Sequence, residues 1–414
     1  MKPRRTARHV TLAGLAIAAL ALPVVAGCSS DDDSTTTLPP APTEAGEPGP
    51  LPFGDEIQQV LDDGLEASNG AGVSVAVIVA GYDPWVGVAG YSAVEPSGFV
   101  PMRPDMLFQT GSIEKNFTAA LMLQLVEEGR LGLDDPISRW VSGYDQIDPS
   151  ITVRQILNHT SGIYDWEDNP GSFTGLYQSE GYEAIDWGHW WTLDDVMALV
   201  DEPDFPPGEG WHYSNTGYYL ARLIIEAETG MPISQVLRTR LLDPLGLDHS
   251  WVECDQSAPE GVEFAHAWAD VDGTGNLADI SGQSPNLYCS ILSSPTWTTA
   301  EDLARWSQAL FDEGKVLSEQ SLTEMLSFVP ASDPTEPLAA EYGLGVGKFN
   351  FEAETGNSRL ADLEHYGHSG NVIGYNALMI YLPQHHATVV ALFNENFTIA
   401  STAGPLLEVI DRNL

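Results

Sequence analysis

Along GDEIQQVLDDGLEASN (54–69) apolar residues recur every three to four positions, the spacing of one helix face. GVSVAVIVAG (72–81) and PWVGVAGYSAV (84–94) switch to short apolar runs bounded by glycine and proline, and predict two strands of a hairpin. Helical spacing then dominates through NFTAALMLQLVEEGRLGL (116–133), TVRQILNHTSG (152–162), LDDVMALV (193–200), TGYYLARLIIEAETG (216–230), PISQVLRTRLL (232–242) and TAEDLARWSQALFDEG (299–314). Strand signals return in EYGLGVGKFNF (341–351), NALMIYLPQ (376–384) and ATVVALFNEN (387–396), and LLEVIDRNL closes the chain as a helix. Strands at both ends around a helical middle predict an α+β domain: one antiparallel sheet built from the two chain ends, flanked by helices, with a mainly helical subdomain inserted.

The first residues follow a different pattern. Lys2, Arg4, Arg5 and Arg8 precede the apolar run TLAGLAIAALALPVVAG, which Pro23 interrupts and which ends in small residues before Cys28. Residues 1–27 read as a secretion signal rather than a spanning helix. VAGC resembles the bacterial lipobox, in which the cysteine becomes a lipidated N-terminus, so Cys28 is the expected lipidation site and membrane anchor. Residues 28–52, rich in proline and polar side chains, read as a tether too poor in apolar surface to order itself. The domain proper is expected over 53–414.

Composition changes the picture in two ways. The chain carries 59 Asp plus Glu against 17 Lys plus Arg, a formal net charge of −42, which makes nucleic acid and anionic membrane surfaces poor partners for the folded part. Beyond Cys28 the cysteines are Cys254 and Cys289, and in an oxidising compartment the favoured reading is a disulfide between them, with two separate buried thiols as the alternative.

Chemistry enters at GSIEKNFTAA (111–120). On a helix, positions three apart share a face with Cβ atoms ~5–6 Å apart, so Ser112 and Lys115 can meet while Glu114 points elsewhere. A helix start also supplies unpaired N–H groups and a positive dipole end beside the serine. Alone, Ser-x-x-Lys is a weak motif, because serine is a common cap and lysine a common helix residue.

Two further stretches give it weight: Tyr213-Ser214-Asn215 in PPGEGWHYSNTGYYL, just before a helix, and His368-Ser369-Gly370 in EHYGHSGNVIGY, near a late strand. Together the three resemble the motifs of the serine β-lactamase and penicillin-binding protein superfamily, in particular its class C-like branch with DD-carboxypeptidase and esterase relatives. Tyr-Ser-Asn stands for Ser-Asp-Asn, and His-Ser-Gly for Lys-Thr-Gly. TVRQILNHTSGIYDW and TTAEDLARW resemble family signatures as well.

The resemblance implies an extracytoplasmic serine hydrolase working through an acyl-enzyme, with Ser112 as nucleophile and no cofactor or metal. Lys115 or Tyr213 would be the base, a choice left open. Asn215, His368, Ser369 and Gly370 would bind substrate, with Asn215 on the same side as Tyr213 in an extended segment. The N–H groups of Ser112 and Asn371 would form the oxyanion hole. As imidazolium, His368 could anchor a substrate carboxylate. The first activity expected is D-alanyl-D-alanine carboxypeptidase on cell-wall peptides, with esterase and β-lactamase as sister activities. A non-catalytic receptor that stays acylated by penicillin is the alternative from another class.

Other chemistries find no pattern: GHSGN is not Gly-x-Ser-x-Gly, GLGVGKF lacks phosphate-loop spacing, and no His-Glu-x-x-His occurs. Residues 164–191 hold Trp166, Tyr177, Tyr182, Trp187, Trp190 and Trp191, read chiefly as rings pinning a loop to its domain, otherwise as a cleft wall. His159 reads as structural.

Overall fold

The computed structural model describes residues 48–414 apart from 69–70, 95–97, 253, 255–257, 259, 272–275, 282–284, 332–338, 350, 353–356, 362 and 396–398. The signal segment, Cys28 and the tether up to residue 47 lie outside the described residues. The tether, expected to run to residue 52, gives way to the domain sooner. Gly49 bridges Tyr82, the Asp83 N–H donates to the Gly49 carbonyl at 2.9 Å, and Leu51 is buried beside Phe53 and Ile57. A single leucine in a polar stretch is enough to dock its neighbours once a core is there to receive it.

Among the described residues nine strands form one antiparallel sheet. They are β1 Gly72–Val79, β2 Trp85–Ala93, β3 Val100–Pro101, β4 Val329–Pro330, β5 Ala339–Tyr342, β6 Gly347–Phe349, β7 Tyr366–Val372, β8 Tyr375–Leu382 and β9 Ala387–Phe393. Their spatial order is β3-β2-β1-β9-β8-β7-β6-β5-β4, so the two ends of the chain meet where β1 pairs with β9, Val75 opposite Ala391. Alternation along the strands feeds two cores. Val73, Val75, Val77, Leu378, Ile380 and Val389 pack under helix α1 (Gly54–Ser68) and the closing helix Ile399–Asn413. Ala76, Met379, Tyr381, Val390 and Leu392 face the larger core, shared with the helical middle of the chain.

Three helices of that middle matter for the site: α2 (Glu114–Glu127), α3 (Asn215–Thr229) and α4 (Ala300–Phe311). Every residue of α2 from Glu114 to Leu123 is buried, the condition of a helix at the centre of a domain. Its polar side chains are therefore paired. Asn116 donates to the Gly345 carbonyl at 3.1 Å and accepts from the Trp306 indole of α4 at 2.9 Å, and Thr118 bonds the Ser293 and Ser294 hydroxyls.

Two predicted elements break where this packing demands it. TVRQILNHTSG is helical only over Val153–Leu157, opened by a reciprocal Thr152–Gln155 cap and ended by His159 at φ +62°. EYGLGVGKFNF is two strands, not one. Between β5 and β6 the chain turns at Gly345, φ +68°, so close to α2 that a β-carbon there would lie 2.5 Å from the Lys115 carbonyl. Cys254 and Cys289 are joined in a disulfide with Cα atoms 5.2 Å apart.

Candidate active site

Ser112 sits in a tight turn, Gly111–Ile113, that runs directly into α2, and Lys115 occupies the first turn of the helix. The two side chains meet, Lys115 Nζ lying 3.1 Å from Ser112 Oγ. Lys115 is 1% exposed, so each of its N–H bonds needs an acceptor. The other two acceptors are Asn215 Oδ1 at 2.7 Å and Glu114 Oε1 at 3.4 Å. The Tyr213 ring closes the group, with its centroid 5.0 Å from Nζ.

Glu114 corrects the expectation that it points away. It is buried beside Lys115, and its second oxygen accepts from the Ser294 N–H at 2.5 Å and from the Ser293 hydroxyl. A carboxylate next in sequence to a lysine projects about 100° around the helix, which in a solvated helix leads to water. Here no face of the helix meets water over its first ten residues, Glu114 to Leu123.

Tyr213 and Asn215 also converge differently from the expected extended segment. Asn215 is the first residue of α3, with Ser214 as its cap. Its amide is oriented from both ends: Oδ1 faces Lys115 and Nδ2 donates to Asp165 Oδ2 at 2.9 Å. Asp165 also caps the short turn Trp166–Asp168 by accepting from the Glu167 N–H. Burial raises the Asp165 carboxyl above its ordinary range, and burial together with the Asp165 charge raises Glu167 further, to about 8.

β7 supplies the opposite wall. Among the described residues it pairs with β6 only at Gly367–Gly347, so from His368 onward its second edge is turned to the Ser112 loop instead of to a strand. A β-carbon at Gly370 would fall 1.9 Å from the Thr110 carbonyl and 3.1 Å from the Ser112 nitrogen, and one at Gly111 would fall 2.7 Å from the Asn371 nitrogen. The two glycines thus let the backbone nitrogens of Ser112 and Asn371 share one small space. Ser369 is half-buried and the Asn371 side chain exposed, both on the open face.

His368 does not suit the carboxylate-anchor role. It is buried, Nδ1 donates to the Ser369 carbonyl at 2.5 Å, and Nε2 accepts from the Tyr342 hydroxyl at 2.7 Å. Burial pushes its pKa down to about 3, so the ring is a neutral imidazole whose proton sits on Nδ1 and whose Nε2 is left as the acceptor.

In the aromatic segment, Trp166 and Tyr182 are core residues and Trp166 packs on Phe173 and Trp191, while Trp190 is 49% exposed. A cavity of about 580 Å³ lined by Met106, Trp251, Phe264, Trp297 and Tyr375 is formed without any of the candidate residues. Among the described residues no cluster of His, Cys, Asp or Glu is arranged to hold a metal ion. Glu114, Asp165, His159 and Tyr342 are the site residues that sequence reasoning missed. An acid inside an otherwise apolar helix and an acid at a turn start were the available signals for the first two.

With this geometry in hand, similarity to known proteins is specific. The Beta-lactamase family model matches residues 57–409, and the chain belongs to that family. That is the family whose motifs the Ser112, Tyr213 and His368 stretches resemble. The chain is 28% identical over 312 residues to penicillin-binding protein 4* of Bacillus subtilis (strain 168), covering 71% of this chain and 62% of that protein. Esterase EstB of Burkholderia gladioli is 32% identical over 179 residues, 41% of this chain and 43% of the esterase. The chain therefore spans less than two thirds of either relative. Among solved structures, a D-stereospecific amidohydrolase from Streptomyces sp. superposes with TM-score 0.71 at 30% identity, over 86% of this chain and 98% of that one. The D-amino acid amidase of Ochrobactrum anthropi SV3 does so with TM-score 0.73 at 26% identity, over 87% and 98%.

Proposed function

We propose that the chain is an extracytoplasmic hydrolase of amide bonds adjoining a D-residue, acting through an acyl-enzyme on Ser112. The observation that carries this reading is the Ser112–Lys115–Asn215 group held against the open edge of β7. A substrate backbone laid along that edge would meet main-chain groups as an added strand does. Its carbonyl would lie over Ser112, with the Ser112 and Asn371 nitrogens beside the developing oxyanion. Ser112 Oγ forms the ester bond as the C–N bond breaks, and water later hydrolyses the ester, restoring Ser112 and releasing the acid.

Because three acceptors already occupy the N–H bonds of Lys115, we assign it the role of a fixed positive charge beside Ser112 and Tyr213 the role of base. Tyr213, as the phenolate that the Lys115 charge favours, takes the Ser112 proton to become the phenol and hands that proton to the leaving amine. In deacylation it takes a proton from water and returns it to Ser112. The solved structures named as a D-stereospecific amidohydrolase and a D-amino acid amidase support a D-configured acyl group. The neutral His368 favours a substrate whose leaving group bears no free carboxylate, such as a D-amino acid amide or an internal D-peptide bond, over D-alanyl-D-alanine with a free C-terminus. Secretion by the signal 1–27 and anchoring by a lipid on Cys28 belong to the same proposal and are supported by the N-terminal pattern alone.

A substrate panel tests the reading: D-phenylalanine amide, a D-Ala-D-Ala peptide, a chromogenic cephalosporin and a short-chain ester, each against wild type and Ser112→Ala. Turnover of the D-amide above the others, lost in Ser112→Ala, is the expected result. Preference for the free-carboxylate peptide would return the assignment to a carboxypeptidase. Stoichiometric penicillin labelling that persists for hours without turnover would make the protein a receptor.

A further inference from the structure

His159 lies outside the group that touches Ser112, yet it holds the chain on both sides of Tyr213. Its carbonyl accepts from the His212 N–H at 3.1 Å, and its ring Nδ1 accepts from the Ser214 N–H at 3.1 Å. One residue thus binds the main-chain N–H groups of both sequence neighbours of the tyrosine. Its ring also lies against the Tyr213 ring, centroids 4.3 Å apart, with Tyr342 at 4.6 Å and Tyr218 at 5.3 Å on other sides. The clasp continues a backbone zipper. The Gly208 N–H donates to the Thr160 carbonyl at 2.8 Å, and the Asp204 N–H to the Gly162 carbonyl at 3.0 Å.

The choice of histidine has a physical reason. The position is left-handed, φ +62°, a conformation that costs most side chains energy and that asparagine, aspartate and histidine tolerate best. Nδ1 must be unprotonated to accept from Ser214, which puts the ring proton on Nε2. Nε2 is buried with no hydrogen-bond partner among the described residues, so charging the ring would leave two N–H groups facing the Ser214 N–H and the aromatic rings. Burial and the neighbouring Lys115 charge push its pKa well below the ordinary value. A backbone strained at a buried, uncharged residue next to a reacting group is a feature that packing alone does not call for.

We infer that His159 is a positioning residue that fixes the Tyr213 side chain by clasping the main-chain N–H groups of His212 and Ser214 on either side of it. The inference rests on the assignment of Tyr213 as base. It separates His159 from a mere core residue, because its effect must pass through Tyr213.

A double-mutant cycle decides it, with wild type, His159→Ala, Tyr213→Phe and the pair, together with His159→Asn, whose Oδ1 keeps an acceptor near the Nδ1 position and whose backbone tolerates the left-handed conformation. Ester turnover gives kcat and KM, and acylation of Ser112 by a fluorophosphonate is followed by intact mass over hours so that slow variants are still read. His159→Ala should lower kcat and the acylation rate about tenfold or more with KM changed less than about twofold, since small misplacements of a catalytic group are costly. His159→Asn should recover most of that loss. In the Tyr213→Phe background the alanine should cost less than about twofold. Should His159→Ala lack a cooperative melt, His159→Gln replaces it, its amide reaching past Ser214. Multiplicative losses across the cycle, or an asparagine as impaired as the alanine, would overturn the inference. Absence of Ser112-dependent acylation in wild type would instead remove the hydrolase reading itself.

Discussion

Lys115 and Glu114 are neighbours in sequence and partners in space, both 1% exposed. A buried ion pair adds little over an apolar replacement of both partners, but removing one partner leaves the other charge unmatched in a low dielectric. Glu114→Gln keeps the shape and most hydrogen bonds while deleting the counter-charge. It should lower unfolding free energy by about 3 kcal/mol or more, read as a fall in the urea midpoint at unchanged slope. A loss below about 1 kcal/mol would show that Lys115 does not depend on this carboxylate. Gly370 makes the contrasting residue-scale case, because here the constraint is pure space. In Gly370→Ala the new methyl meets the Thr110 carbonyl, which must separate β7 from the Ser112 loop. The expected outcome is loss of acylation by about a hundredfold or more, the scale of a removed oxyanion donor, measured by intact mass.

At the level of elements, the site is built where three chain segments end or turn. Ser112 precedes α2, Asn215 begins α3, and β7 carries an edge that β6 leaves open. Segment ends have unpaired backbone groups to offer, whereas segment interiors have spent theirs. The helix Val153–Leu157 delivers His159 to this junction and is only five residues long, so its cap matters. Thr152 and Gln155 cap it reciprocally. Thr152→Ala should cost about 1 kcal/mol of stability, seen as a lower melting temperature. Because the same helix positions His159, ester turnover should fall with it even at temperatures well below the melt. Unchanged turnover would show that the loop 158–162 is held by its own contacts.

For the whole molecule, the acidic groups behind Asn215 set a pH dependence of stability. Asp165 and Glu167 have folded pKa values raised above their unfolded ones, so the folded state binds more protons across the interval between them. Their contribution is present below about pH 4 and is lost as pH rises toward about pH 8. His368 works in the opposite sense: with a folded value of about 3, it penalises folding as pH falls below its unfolded value near 6.5. The two overlap, so the difference between wild type and Glu167→Gln isolates the acid. That variant should match wild type near pH 4.5 and melt higher than wild type at pH 8. Parallel melting curves across that range would contradict a raised Glu167. The disulfide acts on the unfolded chain instead. Replacing Cys254 and Cys289 by serine frees a loop of 35 residues and should cost about 3–4 kcal/mol on the chain-entropy account.

The hydrophobic pattern was sufficient for the α+β architecture and the pairing of the two chain ends, because strand alternation and helical spacing are local properties that tertiary contacts rarely reverse. Motif residues in order were sufficient to single out Ser112, Lys115, Tyr213 and Asn215 as side chains that the fold brings together. Charge state and orientation were not local. Whether Glu114 met water or Lys115 depended on what covered α2. Whether His368 was imidazolium or imidazole depended on Tyr342, 26 residues away in sequence, and on the depth of its burial. The left-handed turn at His159 and the break at Gly345 depended on how closely another segment approached. Each of these is a matter of desolvation or of contact between distant parts of the chain, and neither quantity exists until the fold has closed around the residue.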